Sequence, residues 1–530
     1  MRQLIKNATV IDGSGCAAFG GDVLIDGQMI AEVAPTISAA VDEVIDAKGA
    51  FVTPGFIDVH SHADLATFIP QGFKPKILQG ITTELVGLCG LGVAPLPKAL
   101  QREVRDRLII GNPPIDWTWD DYPSFGAALE QRGLEVNLSA FVPHGLLRYQ
   151  ICGNNSIPMN AEQRTRLARL TDETLAAGAR GVSMGLIYHP ALFSDKKELL
   201  AVAKVAAQHR KPLVVHVRSE SDEILEAVKE MIALSQQAGC QLHISHLKLI
   251  GRRNAIKLEP LLSLIDRYGL TFDQYPYHYG STTLFSILPP ALIREYAPDA
   301  LMKALQTQPI RKQVRDWFAE RILPQAGEPW DNLPALVGWE NILICEVESQ
   351  SARRWLGRSI TECAQRTDQH PVDFVLDLLI SERGNVRMID YFMDEALVER
   401  IFQHPRGMVG TDTIFGGRLH PRVSGTFPRI LNQFVRRQQL LPIEQAIRKM
   451  TNLSAETFAL HRRGRIAPGY YADISVFGSE FTDHSTVEQP EAYASGLHGL
   501  WINGSRKVAE GKYMATRSGQ LLHHWTDKAS

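Results

Sequence analysis

The sequence predicts an α/β fold: a (β/α)8, TIM-like barrel with a small β-sandwich domain formed by both chain ends and an inserted lid region. Three observations predict it. Short apolar runs alternate with helix-like stretches through the middle of the chain, the pattern of a parallel sheet or barrel. Both ends are strand-rich instead. Polar residues able to bind a metal stand at the C-terminal ends of the apolar runs, where (β/α)8 enzymes carry their active-site groups.

The first fifty or so residues alternate apolar and polar positions in LIKNATVIDG, DVLIDGQMIAEV and DEVIDAKGAFV, broken at Asp-Gly and Lys-Gly turns. Such patterning reads as short strands. The C-terminal stretches GRIAPGYYADISVFG and HGLWINGSRKVAEGKYM look alike, with Asn503-Gly504 as a hairpin signal. Residues 1–53 and 459–530 are therefore expected to build one small β domain together.

Residues 54–458 form the expected barrel. Apolar runs at 136–142, 181–186, 212–217, 241–245, 270–275 and 407–410 read as buried strands. Helix-like stretches at 161–177, 196–209, 222–238 and 258–268 lie between several of them. In a region of this length about eight such units would favour a closed barrel over an open sheet, and these six runs are the ones the sequence places. The rhythm breaks at about 288–342, rich in Pro, Trp and charge. That segment is expected to be an insertion, either a cover for the site or a peripheral helical excursion.

Composition narrows the function. Hydrophobic residues make up 45% and charged residues 22%, ordinary for a soluble globular protein. The 56 Lys and Arg nearly balance 58 Asp and Glu, for a net charge of −2, which gives no support for nucleic-acid binding. No apolar run is long enough to span a bilayer. The start, MRQLIKNATVIDGSG, reads as a strand and hairpin rather than a signal peptide. Six cysteines without clustered spacing do not make a disulfide framework, so a reducing cytoplasm is expected. The oligomeric state, monomer or homo-oligomer, stays open.

The candidate ligands follow in chain order. FVTPGFIDVHSH ends in His60 and His62, two residues apart, so a strand aims both imidazoles to one face. Cys89 sits among glycines in ELVGLCGLG. His216 ends PLVVH, and His246 ends QLHISH, where His243 competes from the opposite face. Asp412 follows GMVGT. Taken singly, each has an ordinary reading: a hydrogen-bonded histidine, a small buried thiol, a turn or cap carboxylate. Taken together they offer imidazole, thiolate and carboxylate donors, a set that suits a divalent metal such as zinc. A carboxylate at the position of Asp412 could also take a proton from water and return it to a leaving group.

The order HxH, His, His, Asp across strand ends resembles that of the amidohydrolase superfamily, and TPGFIDVHSHAD is similar to its opening motif. Many cyclic amidases and dihydroorotases of that group bridge two metals with a carbamylated lysine on the fourth strand. The comparable run here, GARGVSMGL, offers no lysine. Cys89 can supply the bridging anion instead. That substitution marks the N-acyl-D-amino-acid deacylases (D-aminoacylases), which the chain resembles from about residue 1 to about 515. GITTELVGLCGLGVAPL, His144-Gly145 to Arg148, GARGVSMGLIYHPA, HVRSESD, SHLKLIGRRN, DQYPYHYGSTTL, HPRVSGTFPRIL and GRIAPGYYADISVF carry the similarity. Three departures stand out: Leu88 before the cysteine, Thr411-Asp412-Thr413 where Ser-Asp-Gly is commoner, and extra His and Trp at the extreme C-terminus.

The resemblance implies one or two Zn2+ per chain. Cys89, His216 and His246 would hold the tighter ion, and His60, His62 and Asp412 a weaker one that Cys89 bridges. Asp412 would act as general base and then protonate the leaving amine. Lys248, Tyr277, Ser281 and Arg422 would bind the α-carboxylate of a small-molecule N-acyl-D-amino acid. After Ser281 the run TTLFSILPP holds no arginine before Arg294, so apolar or neutral D-amino acids are expected. The alternatives are a hydantoinase or dihydroorotase, which the missing lysine disfavours, and a non-catalytic scaffold on the same fold. A scaffold would be expected to lose ligands, and none is lost here.

Overall fold

Each apolar run read from the sequence folds as a parallel strand. A computed structural model describes residues 1–105, 115–296, 298–321, 330–415 and 420–523. Eight parallel strands follow in order: β1 (Phe56–Asp58), β2 (Ile81–Val86), β3 (Asn137–Ala140, resuming as Val142–Pro143), β4 (Val182–Gly185), β5 (Leu213–His216), β6 (Leu242–Ile244), β7 (Thr271–Gln274) and β8 (Gly407–Val409). All but the first residue of β7 are buried. Burial on both faces is why they read as continuous apolar runs rather than alternating ones.

β1, β2 and the first part of β3 pair in parallel. The second part of β3 pairs with β4, and the ladder continues through β5, β6 and β7 to β8. At the far edge, Val59 donates its N–H to Val409 O at 3.3 Å and Asp412 donates to His60 O at 2.7 Å. Backbone hydrogen bonds thus join β8 back to β1.

Local chemistry sets the helices between strands. Asn160 and Gln163 form a reciprocal capping box at the start of Ala161–Ala176. The Asp195 carboxylate accepts from Glu198 N at the start of Lys196–Gln208. Ile224–Ala238 and Leu258–Tyr268 both end at a glycine in the left-handed region, Gly239 and Gly269. These bounds match the predicted stretches within two residues.

The two chain ends share one sheet. Nine strands pair in a single hydrogen-bonded sheet, where the sequence predicts a sandwich. Phe51–Pro54 unites the two halves, pairing in parallel with Arg2–Val10 and antiparallel with Ile474–Thr482. Asn503 (φ 50°) and Gly504 (φ 73°) make the predicted hairpin turn. Past that turn, Gly519 and Leu522 donate backbone hydrogen bonds to Leu134 and Leu138 beside β3. The C-terminal segment therefore reaches the parallel strands as well as the sheet. Of His523, His524 and Trp525, the extra residues read as a departure, only His523 lies within the described residues.

Between β7 and β8 the chain leaves the ladder. Tyr279–Thr283, Arg387–Tyr391 and Ile342–Glu346 pair antiparallel in that spatial order, with helices such as Pro290–Glu295, Gln308–Glu320 and Leu333–Val337 around them. This cover is wider than the predicted 288–342, because its first and last strands lie outside that interval. Residues 297 and 322–329 of the interval lie outside the described residues. No described helix is long and apolar enough to cross a membrane.

Candidate metal centre

Six side chains converge where the parallel strands end. His60 follows β1 by two residues, Cys89 follows β2 by three, His216 ends β5, His246 follows β6 by two and Asp412 follows β8 by three. Three of them turn inward by a left-handed backbone: Cys89 (φ 53°), His246 (φ 33°) and Asp412 (φ 49°). Such conformations cost a non-glycine residue about 1–2 kcal/mol each and persist where the surroundings fix them. Glycines make room for the convergence. A Cβ on Gly185 would collide with Cys89 O, and one on Gly410 would sit 2.5 Å from His60 Cβ.

The donor atoms are close. Cys89 Sγ lies 3.3 Å from His60 Nε2, 3.3 Å from His246 Nε2 and 3.7 Å from His216 Nδ1. Asp412 Oδ1 lies 3.2 Å from His62 Nε2 and 3.7 Å from His60 Nε2. Three overlapping triads result: His60–His62–Cys89, Cys89–His216–His246 and His60–His246–Asp412, all buried and each with its donor atoms within 4.8 Å. Cys89, His60 and His246 each belong to two of them.

Electrostatics fit a cation. Burial pushes the Cys89 thiol up, but the charges of His60 and His246 and hydrogen bonds from His216 and His246 outweigh it, holding the thiol well below its usual range. These neighbours therefore favour the thiolate form of the sulfur. Burial also opposes charge on His246, as does Lys248. Glu220 and Cys89 still raise it to about 9. Anionic donors drawing protons onto buried imidazoles are the charge pattern that a divalent ion would satisfy. Burial likewise raises Asp412, yet Arg422, His62 and the other histidines hold it well below the ordinary carboxylate range.

Outer carboxylates orient the histidines. Asp273 Oδ2 lies 3.2 Å from His60 Nδ1 and 2.9 Å from His243 Nε2, and Oδ1 accepts from His246 N at 3.0 Å. Glu220 lies 3.0 Å from His246 Nδ1, 3.5 Å from His216 Nε2 and 2.6 Å from Lys248 Nζ. Such partners fix the tautomer and ring direction of a ligating histidine. His243, which competes with His246 in the sequence, instead bonds Asp273 and Thr271.

A cavity of about 1130 Å3 opens over Cys89, His216, His246 and Asp412. Lys248 and Ser281 line it. Lys248 gets there from a loop, since β6 ends at Ile244, rather than by continuing the strand face. Tyr277 and Arg422 are not among the described lining residues. Tyr277 packs against His420, with ring centroids 5.2 Å apart, and beneath the Arg429 guanidinium. Arg422 is fully buried behind Asp412, with Nη1 2.9 Å from Oδ2, and it lies over the Tyr275 ring at 4.9 Å. Of the DQYPYHYG tyrosines only Tyr275 lines the described cavity, where Tyr149 and Tyr188 join it, with the Tyr188 ring 5.2 Å from that of His216.

Glu220, Asp273, Tyr275 and Arg387 escape a sequence reading. Glu220 lies in HVRSESD and Asp273 opens DQYPYHYGSTTL, so the motifs contain them, but nothing in the pattern tells a supporting carboxylate from a cap. Arg387 pairs across from Thr283 in the cover sheet, and its guanidinium lines the cavity in an ion pair with Glu346.

A model described as the amidohydrolase family matches residues 43–282 and 372–507, skipping most of the cover. The chain belongs to the amidohydrolase family. Within it, the chain falls in the branch of the N-acyl-D-amino-acid deacylases, or D-aminoacylases. It is 31% identical over 527 residues to an N-acyl-D-aspartate deacylase of Alcaligenes xylosoxydans xylosoxydans, covering 98% of this chain and 94% of the relative. A D-aminoacylase of the same organism is 29% identical, with coverages of 98% and 97%. The crystal structure of an N-acyl-D-glutamate deacylase from Bordetella bronchiseptica, complexed with zinc and a phosphonate inhibitor, superposes with a TM-score of 0.81 at 29% identity, covering 98% and 99% of the two chains.

Proposed function

We propose that this protein is a zinc-dependent N-acyl-D-amino-acid deacylase, hydrolysing the exocyclic amide to a carboxylate and a free D-amino acid. The observation that carries the reading is the Cys89 thiolate shared by two buried ligand triads, beside a carboxylate held ready by Arg422. The Bordetella relative's zinc and phosphonate complex and the deacylase names of the Alcaligenes relatives support it.

Cys89, His216 and His246 would hold the tighter zinc. His60, His62 and Asp412 would hold a second, with one or two ions in the active form. Zinc so held lowers the pKa of a water and polarises a carbonyl. Asp412 stays ionised because Arg422 binds its Oδ2, so it can take a proton and then hand it to the leaving amine. Lys248, Ser281 and Arg387 face the cavity where the substrate's α-carboxylate would bind, and an arginine can grip a carboxylate with two parallel bonds. Arg422 acts on Asp412 in this reading, and Tyr277 supports the wall from behind.

Apolar or neutral D-amino acids fit best. The cover lines the cavity with Phe285, Ile287, Leu288 and Ile293. Parallel pairing in two ladders that meet at the interrupted β3, with the Val59 and Asp412 hydrogen bonds returning from β8 to β1, supports a closed (β/α)8 barrel over 54–458, flanked by a β domain from 1–53 and 459–530. The cover would act as a lid. Free cysteines throughout, with one needed as a thiolate, support a reducing cytoplasm. The protein would act as a monomer or homo-oligomer on a small molecule, with no nucleic-acid or membrane partner.

The test is a paired assay of N-acetyl-D- and N-acetyl-L-amino acids with added Zn2+. Amine release from the D series is expected, with leucine and methionine derivatives ahead of aspartate and glutamate. Release from the L series alone, or from neither, overturns the deacylase reading. Faster release from acidic D-amino acids overturns only the side-chain preference.

A further inference from the structure

The cover does more than shield the cavity, because one of its carboxylates reaches the loop behind the metal ligands. Asp331 lies between two anchored neighbours. Trp330 Nε1 donates to Ile287 O at 3.1 Å. The Asn332 amide donates to Phe318 O and Arg321 O at 3.1 and 3.0 Å, while its oxygen caps Leu333–Val337. With both flanks fixed inside the cover, the Asp331 side chain projects to the turn after β5. Its Oδ1 accepts from Ser219 Oγ at 2.7 Å and from Ser221 Oγ, and its Oδ2 accepts from Glu220 N at 3.0 Å.

That turn carries Glu220, whose carboxylate touches His216, His246 and Lys248. Glu220 O also accepts from Ile250 N at 2.7 Å, tying the turn to the loop that bears Lys248. One acidic side chain therefore gathers three donors of a turn whose middle residue orients two histidines and a lysine. Hydrogen bonds to a charged acceptor are the strong ones, shorter and about twice as strong as neutral pairs. A turn with two serine hydroxyls and a backbone N–H directed at one carboxylate is held in a single geometry.

We infer that Asp331 is a positioning residue: it fixes the Ser219–Glu220–Ser221 turn so that Glu220 holds His216, His246 and Lys248 in place. The inference rests on the zinc-deacylase reading above. It adds that the cover, though none of its described residues joins the ligand triads, sets how firmly the metal is held. Asp331 touches no reacting atom in this account and acts only through Glu220.

The experiment compares the zinc-loaded full chain with Asp331→Ala, Asp331→Asn, a Ser219→Ala/Ser221→Ala pair and the triple variant. Three quantities are read: kcat and KM for an N-acetyl-D-amino acid, the rate of zinc extraction by EDTA with a colorimetric zinc indicator, and the thermal midpoint. Partners of metal-ligating histidines are worth about 10- to 100-fold in affinity or activity. Asp331→Ala is therefore expected to lower kcat about tenfold and to speed zinc extraction about tenfold. Asp331→Asn, which keeps one acceptor, should fall between. The serine pair should act in the same direction, and the triple variant should add little to Asp331→Ala, since all remove the same bonds. Parent-like kcat and zinc extraction in Asp331→Ala overturn the inference even if the protein melts earlier, as do fully additive effects. Should Asp331→Ala fail to fold, the serine pair decides by the same criteria. A parent chain that takes up zinc but hydrolyses no N-acyl-D-amino acid overturns the deacylase reading alone, because extraction rates still judge Asp331. A parent that takes up no zinc overturns both.

Discussion

Cys89 is where the chemistry concentrates. Its sulfur meets three imidazoles within 3.7 Å, which favour its thiolate form against a burial that would otherwise neutralise it. Cys89→Ala removes the only thiolate of two triads, so tight zinc binding and hydrolysis should both vanish. Metal analysis after dialysis, with an activity assay on zinc-supplemented protein, checks this; retention of both would make Cys89 a packing residue. Glu198 gives a second prediction, away from the metal ligands. Burial pushes its carboxyl up, but His144, Arg148 and the Ser194 hydroxyl outweigh it and hold it at about 2 against an ordinary 4.5. The folded state thus binds this proton more weakly than the unfolded chain. The resulting stability is complete above about pH 4.5 and is lost as pH falls towards 2, an amount of about 3 kcal/mol. Glu198→Gln should be less stable at neutral pH, with a flatter loss between pH 4.5 and 2 by denaturant unfolding.

Between elements, a buried lysine ties strands together beneath the site. Lys76 Nζ, fully buried, lies 2.5 Å from Asp58 Oδ2, 2.7 Å from Thr411 Oγ1 and 3.2 Å from Glu84 Oε1. Asp58 Oδ1 accepts from the backbone N–H of both His60 and Thr411. The cluster therefore links β1, β2 and the turn after β8 directly under His60, His62 and Asp412. Glu84 is pushed up to about 8, first by burial and then by the Asp58 charge against the opposing Lys76. Asp58 is the carboxylate nearest to Lys76. Lys76→Met should cost about 3–5 kcal/mol, the penalty for leaving such a charge unpaired. Urea midpoints measure it, and in the proposed two-zinc form an ion held by His60 and His62 should be lost before the one held by Cys89, His216 and His246. The sequence carries little sign of this cluster. A lysine, an aspartate and a glutamate scattered over residues 58–84 look like surface charges until the strands bring them together. Asp331 and Glu220 are hidden for the same reason, being 111 residues apart. The strands and their helices were legible, because burial on both faces leaves apolar runs, and caps such as Asn160 and Asp195 act within four residues.

Across the whole molecule, the chain ends lock the parallel strands to the terminal sheet. Arg463 pairs with Asp473, whose other oxygen accepts from Asn503 N at 2.8 Å, and Asn503 Nδ2 reaches Asn137 on β3. Arg180 donates to Leu522 O at 2.9 Å. Sheet and strands should therefore unfold in one transition. A chain ending at Tyr513 loses the buried Leu521 and Leu522, which are worth about 4 kcal/mol together. It should show a lower denaturation midpoint, while the folded fraction keeps its KM and zinc content. Unchanged stability would mean that the segment merely rests on the surface.

The sequence alone determined the family, six of the parallel strands and the six candidate ligands, because strand burial and motif spacing are local properties written in consecutive residues. Tertiary structure decided what those ligands lean on. It turned Arg422 towards Asp412 and Tyr277 away from the cavity, and it supplied Tyr275 and Arg387 at the wall. It also joined nine terminal strands in one sheet and brought the cover's Asp331 to the turn that bears Glu220. Each of these depends on contacts between segments far apart in the chain, and such contacts leave no periodic trace in the sequence.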